Sequence, residues 1–446
     1  MIRHRGHALI AAVTALVCGI AIVVLVNRGH TGSQTAASGS GVSGTAGSVS
    51  SGRWVGAWTT APASGEPGTA GGRPPTSIRN VAHIGIGGSK VRVHLSNEFG
   101  LKPLEISHAT VALAAGNSAP GSSGGPGGSG PAATAGSMHG LDFAGRASVV
   151  VPAGGTVVSD PVGLRVPDSS DLLVTTFSPR ASGLVTFHPK ARQTSYTAKG
   201  DHASDTPGSA FTTKTAVWQY LSGVDTWTSG ATGSVVAFGD SITAGITSTP
   251  DADHRWTDYL QDRLRTTKGA PRLTVLNQGI GGNRILTDAK GKYADQGLSA
   301  LHRLDQAIDQ AGAIALVVDL GINDIDDSSH KDAAQVVSGL KQITARAHAD
   351  GLRVLGSTLS PCGGHRQCLS AQQQVREQVN QQIRTQHVFD TLIDFDQVLR
   401  DPSQPSRLRK DYDSGDHMHP SDKGYQAMAN AFELSALRAK PPAAVN

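Results

Sequence analysis

The stretch Ser234-Val235-Val236-Ala237-Phe238-Gly239-Asp240-Ser241-Ile242-Thr243-Ala244-Gly245 decides how the chain is read. Val235 to Phe238 is a short apolar run, and its β-branched residues together with the Gly239 stop favour a buried strand over a helix. Such a strand delivers Ser241 to its carboxyl end, the edge at which open α/β sheets bind ligands. A serine that starts the next helix offers both its hydroxyl and its backbone N–H to a substrate. Taken alone, Gly239-Asp240-Ser241 is equally what a plain helix cap looks like.

Downstream of Gly233 the pattern alternates. A helical face at Trp256, Leu260 and Leu264 is followed by a strand at Leu273 to Leu276, then by Leu298, Leu301, Leu304 and Ile308 at helical spacing. The apolar strand Ile314 to Val318 precedes a helix carrying Val336, Val337, Leu340 and Ile343. Strands at Arg353 to Leu355 and Leu392 to Phe395 flank a Gln-rich helix from Ser370 to Gln386, and Tyr425 to Leu437 reads as a closing helix. Strands and helices alternating at this length predict an α/β fold over 233–446, a three-layer doubly wound parallel sheet.

Upstream, residues 53–230 carry short alternating runs: Lys90 to Ser96, Val149 to Val151, Val157-Val158, Leu172 to Phe177 and Ala216 to Leu221. Closely spaced turn formers between them predict an all-β sandwich or jelly roll. The Gly/Ser/Pro tract 117–138 is expected to be a disordered surface insertion. Trp54, Trp58, Trp218 and Trp227 are expected in packing, with stacking on a sugar ring as the alternative.

The chain has 446 residues, enough for two or three domains, with 54 Gly, 22 Pro and 17% charged residues. A net charge of +4 is spread without a basic run, which sets nucleic-acid binding aside. Arg3, His4 and Arg5 precede an apolar stretch from Ala8 to Val26, so residues 1–30 read as a signal peptide or a membrane anchor, with Thr35-Ala36-Ala37-Ser38 as a cleavage candidate. Cys18 inside it reads as a buried thiol, and 31–52 as a flexible linker. An extracellular protein, secreted or tethered, is therefore expected. In that compartment Cys362 and Cys368 are expected to form a disulfide, half of a metal site being the weaker reading.

Three loops fall where the fold places carboxyl ends of strands or the start of the last helix: Asn277-Gln278-Gly279-Ile280-Gly281-Gly282-Asn283, Asp319-Leu320-Gly321-Ile322-Asn323-Asp324, and Asp413-Ser414-Gly415-Asp416-His417-Met418-His419-Pro420. Asp416 and His419 stand three apart, a spacing that lets a carboxylate hold Nδ1–H and leave Nε2 facing Ser241. His417 has Ser414 three before it and so lacks an orienting carboxylate at that spacing. Backbone N–H groups of Ser241 and Gly282 and the Asn323 amide are candidate oxyanion donors.

The ordered set Gly239-Asp240-Ser241, Gly282, Gly321-Ile322-Asn323-Asp324 and Asp416-His417-Met418-His419 resembles the four sequence blocks of the SGNH, or GDSL, hydrolase superfamily, over about Ser234 to Leu437. The resemblance implies a flavodoxin-like sheet, Ser241 as nucleophile, His419 as general base and acid, Asp416 as its partner, and Ser241, Gly282 and Asn323 as the oxyanion hole. In block two Gly279 and Gly281 rival Gly282, which lies five residues after Asn277. The Trp54 to Thr228 region is similar to the β-domain of secreted members of the xylan-associated arylesterase type, and carries no catalytic residue over.

The expected activity is a serine ester hydrolase that needs no cofactor or metal, acts as a monomer, and removes short acyl groups from carbohydrate, polysaccharide or small aryl esters. A lipase or phospholipase for longer chains is the nearest alternative. A wall-binding or carbohydrate-binding protein with an inert hydrolase domain is the alternative of another class.

Overall fold

The computed structural model describes residues 52–116, 129–325 and 331–438. Expectations on the leader, Cys18, the linker before Gly52 and the first part of the 117–138 tract lie outside these residues. No helix among the described residues is long and apolar enough to cross a membrane.

Five strands form the C-terminal sheet in the order Leu273–Asn277, Gly233–Gly239, Ala313–Asp319, Arg353–Ser357, Thr391–Ile393, with every pairing parallel. Side chains alternate across the sheet, as the pleat requires. Val236, Phe238, Leu316, Val318 and Val354 share a core with Leu304, Val336, Leu340 and Val379 from the helices Ala300–Ile308, Ala333–Ala349 and Ser370–Thr385. Val235, Ala237, Ala315, Val317 and Leu355 face the opposite way, onto Trp256, Leu260, Phe395 and Met428 of Trp256–Thr266, Phe395–Leu399 and Asp422–Asn430. This is the three-layer arrangement expected.

Two boundaries differ from the sequence reading. The last strand stops at Ile393, because Asp394 accepts from the Gln397 N–H and caps a helix that starts at Phe395. The closing helix ends at Asn430, and a separate short turn, Leu434–Arg438, carries Leu437 back onto the core.

The N-terminal part is all β and antiparallel. A four-stranded sheet (Arg53–Thr59, Leu221–Thr228, Lys90–Ser96, Thr156–Val158) faces a six-stranded one built around Thr76–Ile84, Ser170–Ser178 and His108–Leu113. Val91, Val93, Leu95 and Val224 from the first share one core with Ile78, Ile84, Val111 and Leu172 from the second, a sandwich.

Ala216 to Leu221 is not one strand: Tyr220, at φ +60°, separates the short Trp218–Gln219 from Leu221–Thr228. Residues 129–138 are packed rather than loose, with Ala133 buried and bridged to Ala114 and Pro131 O accepting from the buried Arg79 guanidinium. The tract's glycine content hid these anchors. Trp58 and Trp218 are buried edge to face with ring centroids 4.9 Å apart, and Trp54 stands against Trp227 at 5.5 Å, so the tryptophans serve packing.

The two parts lie in one compact unit, Ser50–Asn446. The Gly56 N–H donates to Ala311 O at 2.9 Å, and a Cβ at Gly56 would stand 2.7 Å from Leu276 Cδ1. A second seam joins the β-region to the loop after Ser241. Asp251 accepts from the Thr194 N–H at 2.5 Å and its hydroxyl at 2.7 Å, and Arg192 donates to Ser248 O.

Candidate active site

The Gly233–Gly239 strand ends against a one-turn helix, Ser241–Ala244, whose cap is Asp240: its Oδ1 accepts from the Ile242 N–H at 2.9 Å. Ser241 occupies the first helical position, where a backbone N–H has no partner within the helix. Gly245, at φ +82°, ends the turn in the left-handed region.

The third loop brings an imidazole to this serine. His419 Nε2 lies 2.9 Å from Ser241 Oγ, and His419 Nδ1 lies 2.6 Å from Asp416 Oδ2. Asp416 Oδ1 accepts from the backbone N–H groups of Met418 and His419 at 2.9 and 2.8 Å, so the carboxylate is fixed from both sides. Burial alone would raise the Asp416 pKa, but the hydrogen bonds from the His419 ring and from these two N–H groups outweigh it and hold the group below the usual carboxylate range. The loop is tied to the serine turn: Thr247 Oγ1 donates to Pro420 O at 2.8 Å, and the Tyr425 hydroxyl to Ile246 O at 2.5 Å.

His417 does have an orienting carboxylate, contrary to the spacing argument. Its Nδ1 lies 2.6 Å from Asp413 Oδ2, four residues before rather than three, because His417 takes φ +67° and turns the chain. Its ring packs against Gly364 rather than Ser241.

In the second block, the Gly279 N–H is taken by Asn277 Oδ1 at 2.9 Å, and a Cβ there would meet Ala244 N at 2.3 Å, so Gly279 serves close packing. Gly281 and Gly282 both line the cavity above Ser241. Gly282 sits at φ +78°, and a Cβ would lie 2.7 Å from Gln296 Cδ. Asn323 also lines this cavity, but its amide donates to Asp240 Oδ2 at 3.2 Å and Asn283 O at 3.1 Å. An oxyanion would therefore have to displace the longer of these bonds.

Sequence reasoning missed the groups that hold these loops. Arg303 is buried and donates to Asn283 Oδ1, Gln278 O and Gly239 O at 2.9 to 3.1 Å, joining the serine strand to the glycine loop. Burial lowers its pKa to about 9. Asp324 is buried and accepts from the Ile285 and Leu286 N–H groups at 2.8 and 3.1 Å. Asp319 receives the Thr243 and Ser357 hydroxyls at 3.0 and 2.8 Å, and burial raises its pKa to about 6. Nothing in the local sequence of Arg303, a helix residue, marks it.

The cavity holds about 770 Å³ and is lined mainly by polar side chains, Ile246 and Met418 being its aliphatic members. Cys362 and Cys368 are disulfide-bonded with Cα atoms 5.8 Å apart, and the loop they close contributes His365, Arg366 and Gln367 to the wall. Lys190, from the β-region, also reaches it.

Among the described residues, His83, Asp171 and Asp253 are the one group whose ligand atoms come within 4.8 Å of one another. Within that group His83 Nδ1 lies 2.8 Å from Asp171 Oδ1 and 3.4 Å from Asp253 Oδ2, and its Nε2 lies 3.1 Å from Ser169 Oγ, so both ring nitrogens already have protein partners.

The model of the GDSL-like Lipase/Acylhydrolase family matches residues 237–427, the stretch that holds all four loops. No curated protein matches the chain. Among solved structures, a carbohydrate acetylesterase, Est24, from Sinorhizobium meliloti is 14% identical, with 44% of this chain and 95% of that one covered and a TM-score of 0.35. A GDSL-like lipase from Bacteroides thetaiotaomicron is 18% identical over 46% and 87%, TM-score 0.34. An aryl esterase from M. smegmatis is 14% identical over 44% and 95%, TM-score 0.35.

Proposed function

We propose that this protein, whose residues 237–427 match the GDSL-like lipase/acylhydrolase model, is an ester hydrolase that removes short acyl groups from polar esters, carbohydrate or small aryl, through an acyl-serine intermediate. The observation that carries the reading is the chain Ser241 Oγ, His419 Nε2, His419 Nδ1, Asp416 Oδ2, at 2.9 and 2.6 Å, opening on a polar cavity.

Ser241 Oγ attacks the ester carbonyl as His419 Nε2 takes its proton, and Asp416 keeps the other ring proton on Nδ1 and stabilises the imidazolium. The oxyanion forms beside the N–H groups of Ser241 and Gly282, with the Asn323 amide adjoining. His419 then protonates the leaving alcohol, and later takes a proton from the water that frees the acyl group. Two aliphatic side chains offer little surface to a long acyl chain, which counts against the lipase reading. The intact serine, histidine and aspartate count against an inert domain. The apolar leader supports a working place outside the cytoplasm, secreted or tethered.

Ser241→Ala, folded as judged by an unchanged unfolding midpoint, should lose hydrolysis of p-nitrophenyl acetate. Wild-type turnover in that variant would remove the nucleophile assignment. Across p-nitrophenyl esters of increasing chain length the rate should fall beyond short acyl groups, and a rise toward long chains would favour the lipase.

A further inference from the structure

The charge on the cavity wall is one-sided. Among the described residues, Lys190, Arg284, Lys331 and Arg366 line it, against the single carboxylate of Asp295. Arg284 is engaged locally, donating to Asn323 O at 3.0 Å and Gln296 Oε1 at 3.1 Å. Among the described residues no carboxylate pairs with Lys190, Lys331 or Arg366.

These three cations arrive from separate parts of the fold. Lys190 sits at φ +53° just after the Thr186–His188 strand of the β-region, Lys331 precedes the Ala333–Ala349 helix, and Arg366 lies within the disulfide-closed loop. Gathering like charges around one cleft raises the local concentration of an anion there. The rim also carries Tyr293, 53% exposed; Lys292 Nζ stands over one side of its ring, 4.9 Å from the centroid, and the other side is the one on which a sugar ring can stack.

We propose that the alcohol part of the natural ester is an acidic carbohydrate, its carboxylate held by Lys190, Lys331 and Arg366 while a sugar ring lies against Tyr293. This rests on the ester-hydrolase reading and names the substrate class of that same site. An anionic lipid headgroup shares the charge, but it would bring acyl chains for which the only aliphatic side chains among the described lining residues are Ile246 and Met418.

The test measures acetate release from an O-acetylated glucuronic acid and from its neutral methyl uronate, acetylated at the same position. The acid should be preferred in kcat/KM by about tenfold at low ionic strength, the scale of three exposed charge contacts acting together. In 1 M salt, where screening acts within about 3 Å, the ratio should fall toward one. The triple variant Lys190→Gln, Lys331→Gln, Arg366→Gln should lose the ratio.

A wild-type ratio of one overturns the inference and leaves the hydrolase reading standing. Faster turnover of dibutyryl phosphatidylglycerol than of either sugar ester overturns the carbohydrate assignment. If wild type hydrolyses none of these and not p-nitrophenyl acetate either, the hydrolase reading itself fails, and the inference with it.

Discussion

Asp416→Asn tests the site most sharply, because the structure sets two incompatible demands on the new side chain. Oδ2 accepts from the His419 ring at 2.6 Å, while Oδ1 accepts from the N–H groups of Met418 and His419 at 2.9 and 2.8 Å. Asparagine has one carbonyl oxygen. With that oxygen on the two backbone donors, its NH2 faces Nδ1, which must then lose its proton to Nε2, and a protonated Nε2 cannot accept a proton from Ser241. The reverse orientation preserves the tautomer but orphans two backbone donors, at about 1–3 kcal/mol each.

The productive state thus lies about 2–6 kcal/mol above the unproductive one, a population of roughly one in 30 to one in 20,000. The Asp416 side chain is 38% exposed, so water relieves part of the penalty and the lower half of the range applies. We expect kcat for p-nitrophenyl acetate to fall about 30- to 10³-fold, with KM changed little. A loss of less than about threefold would refute the orienting role. Stability carries a second signature. The folded carboxyl titrates below the usual range, so its contribution is present above about pH 4 and is lost as pH falls toward the folded value. Unfolding midpoints of wild type and Asp416→Asn should therefore converge on acidification.

Asn323→Ala should lower kcat by about 10²-fold if the amide leaves Asp240 for the oxyanion; an unchanged kcat would reduce Asn323 to a brace between Asp240 and Asn283. In the β-region, burial would lower the His83 pKa, but its hydrogen bond to Asp171 and the charges of Asp253, Asp171 and Asp258 raise it to about 9. A raised folded value means stability fully present below about pH 6.5 and lost as pH rises through 9. Urea midpoints should show this decline between pH 6.5 and 9 in wild type and a flatter profile in Asp171→Asn, and identical profiles would contradict the charged pair.

The α/β half was legible because its signals are periodic and local. Val235 to Phe238 and Ile314 to Val318 are central strands buried on both faces, so their runs are unbroken, and Leu304, Ile308, Val336 and Leu340 repeat at helical spacing. Errors fell where one residue redirects the backbone: Asp394 capping a helix inside an apolar run, Tyr220 breaking a strand, Ala133 anchoring a glycine-rich tract. Among the candidate site residues, the meeting of Ser241, His419 and Asp416 was legible because each sits in a short loop whose own spacing constrains it. Arg303 and Lys190 were not, since one acts from the interior of a helix and the other from a different sheet, and only the folded chain puts them beside Gly239 and the cavity.

The two Asp–His pairs of the last loop show where spacing stops being informative. Asp413 holds His417 at i,i+4 and Asp416 holds His419 at i,i+3, both at 2.6 Å, so an orienting carboxylate does not separate base from bystander. What separates them is the far nitrogen. His419 Nε2 meets Ser241 Oγ, whereas the His417 ring turns onto Gly364 of the disulfide-closed loop. That contact sets the second pair beside the loop whose His365 and Arg366 line the cavity. The imidazole that meets Ser241 and the one that meets the disulfide-closed loop thus come from neighbouring turns of one eight-residue stretch, Asp413 to Pro420.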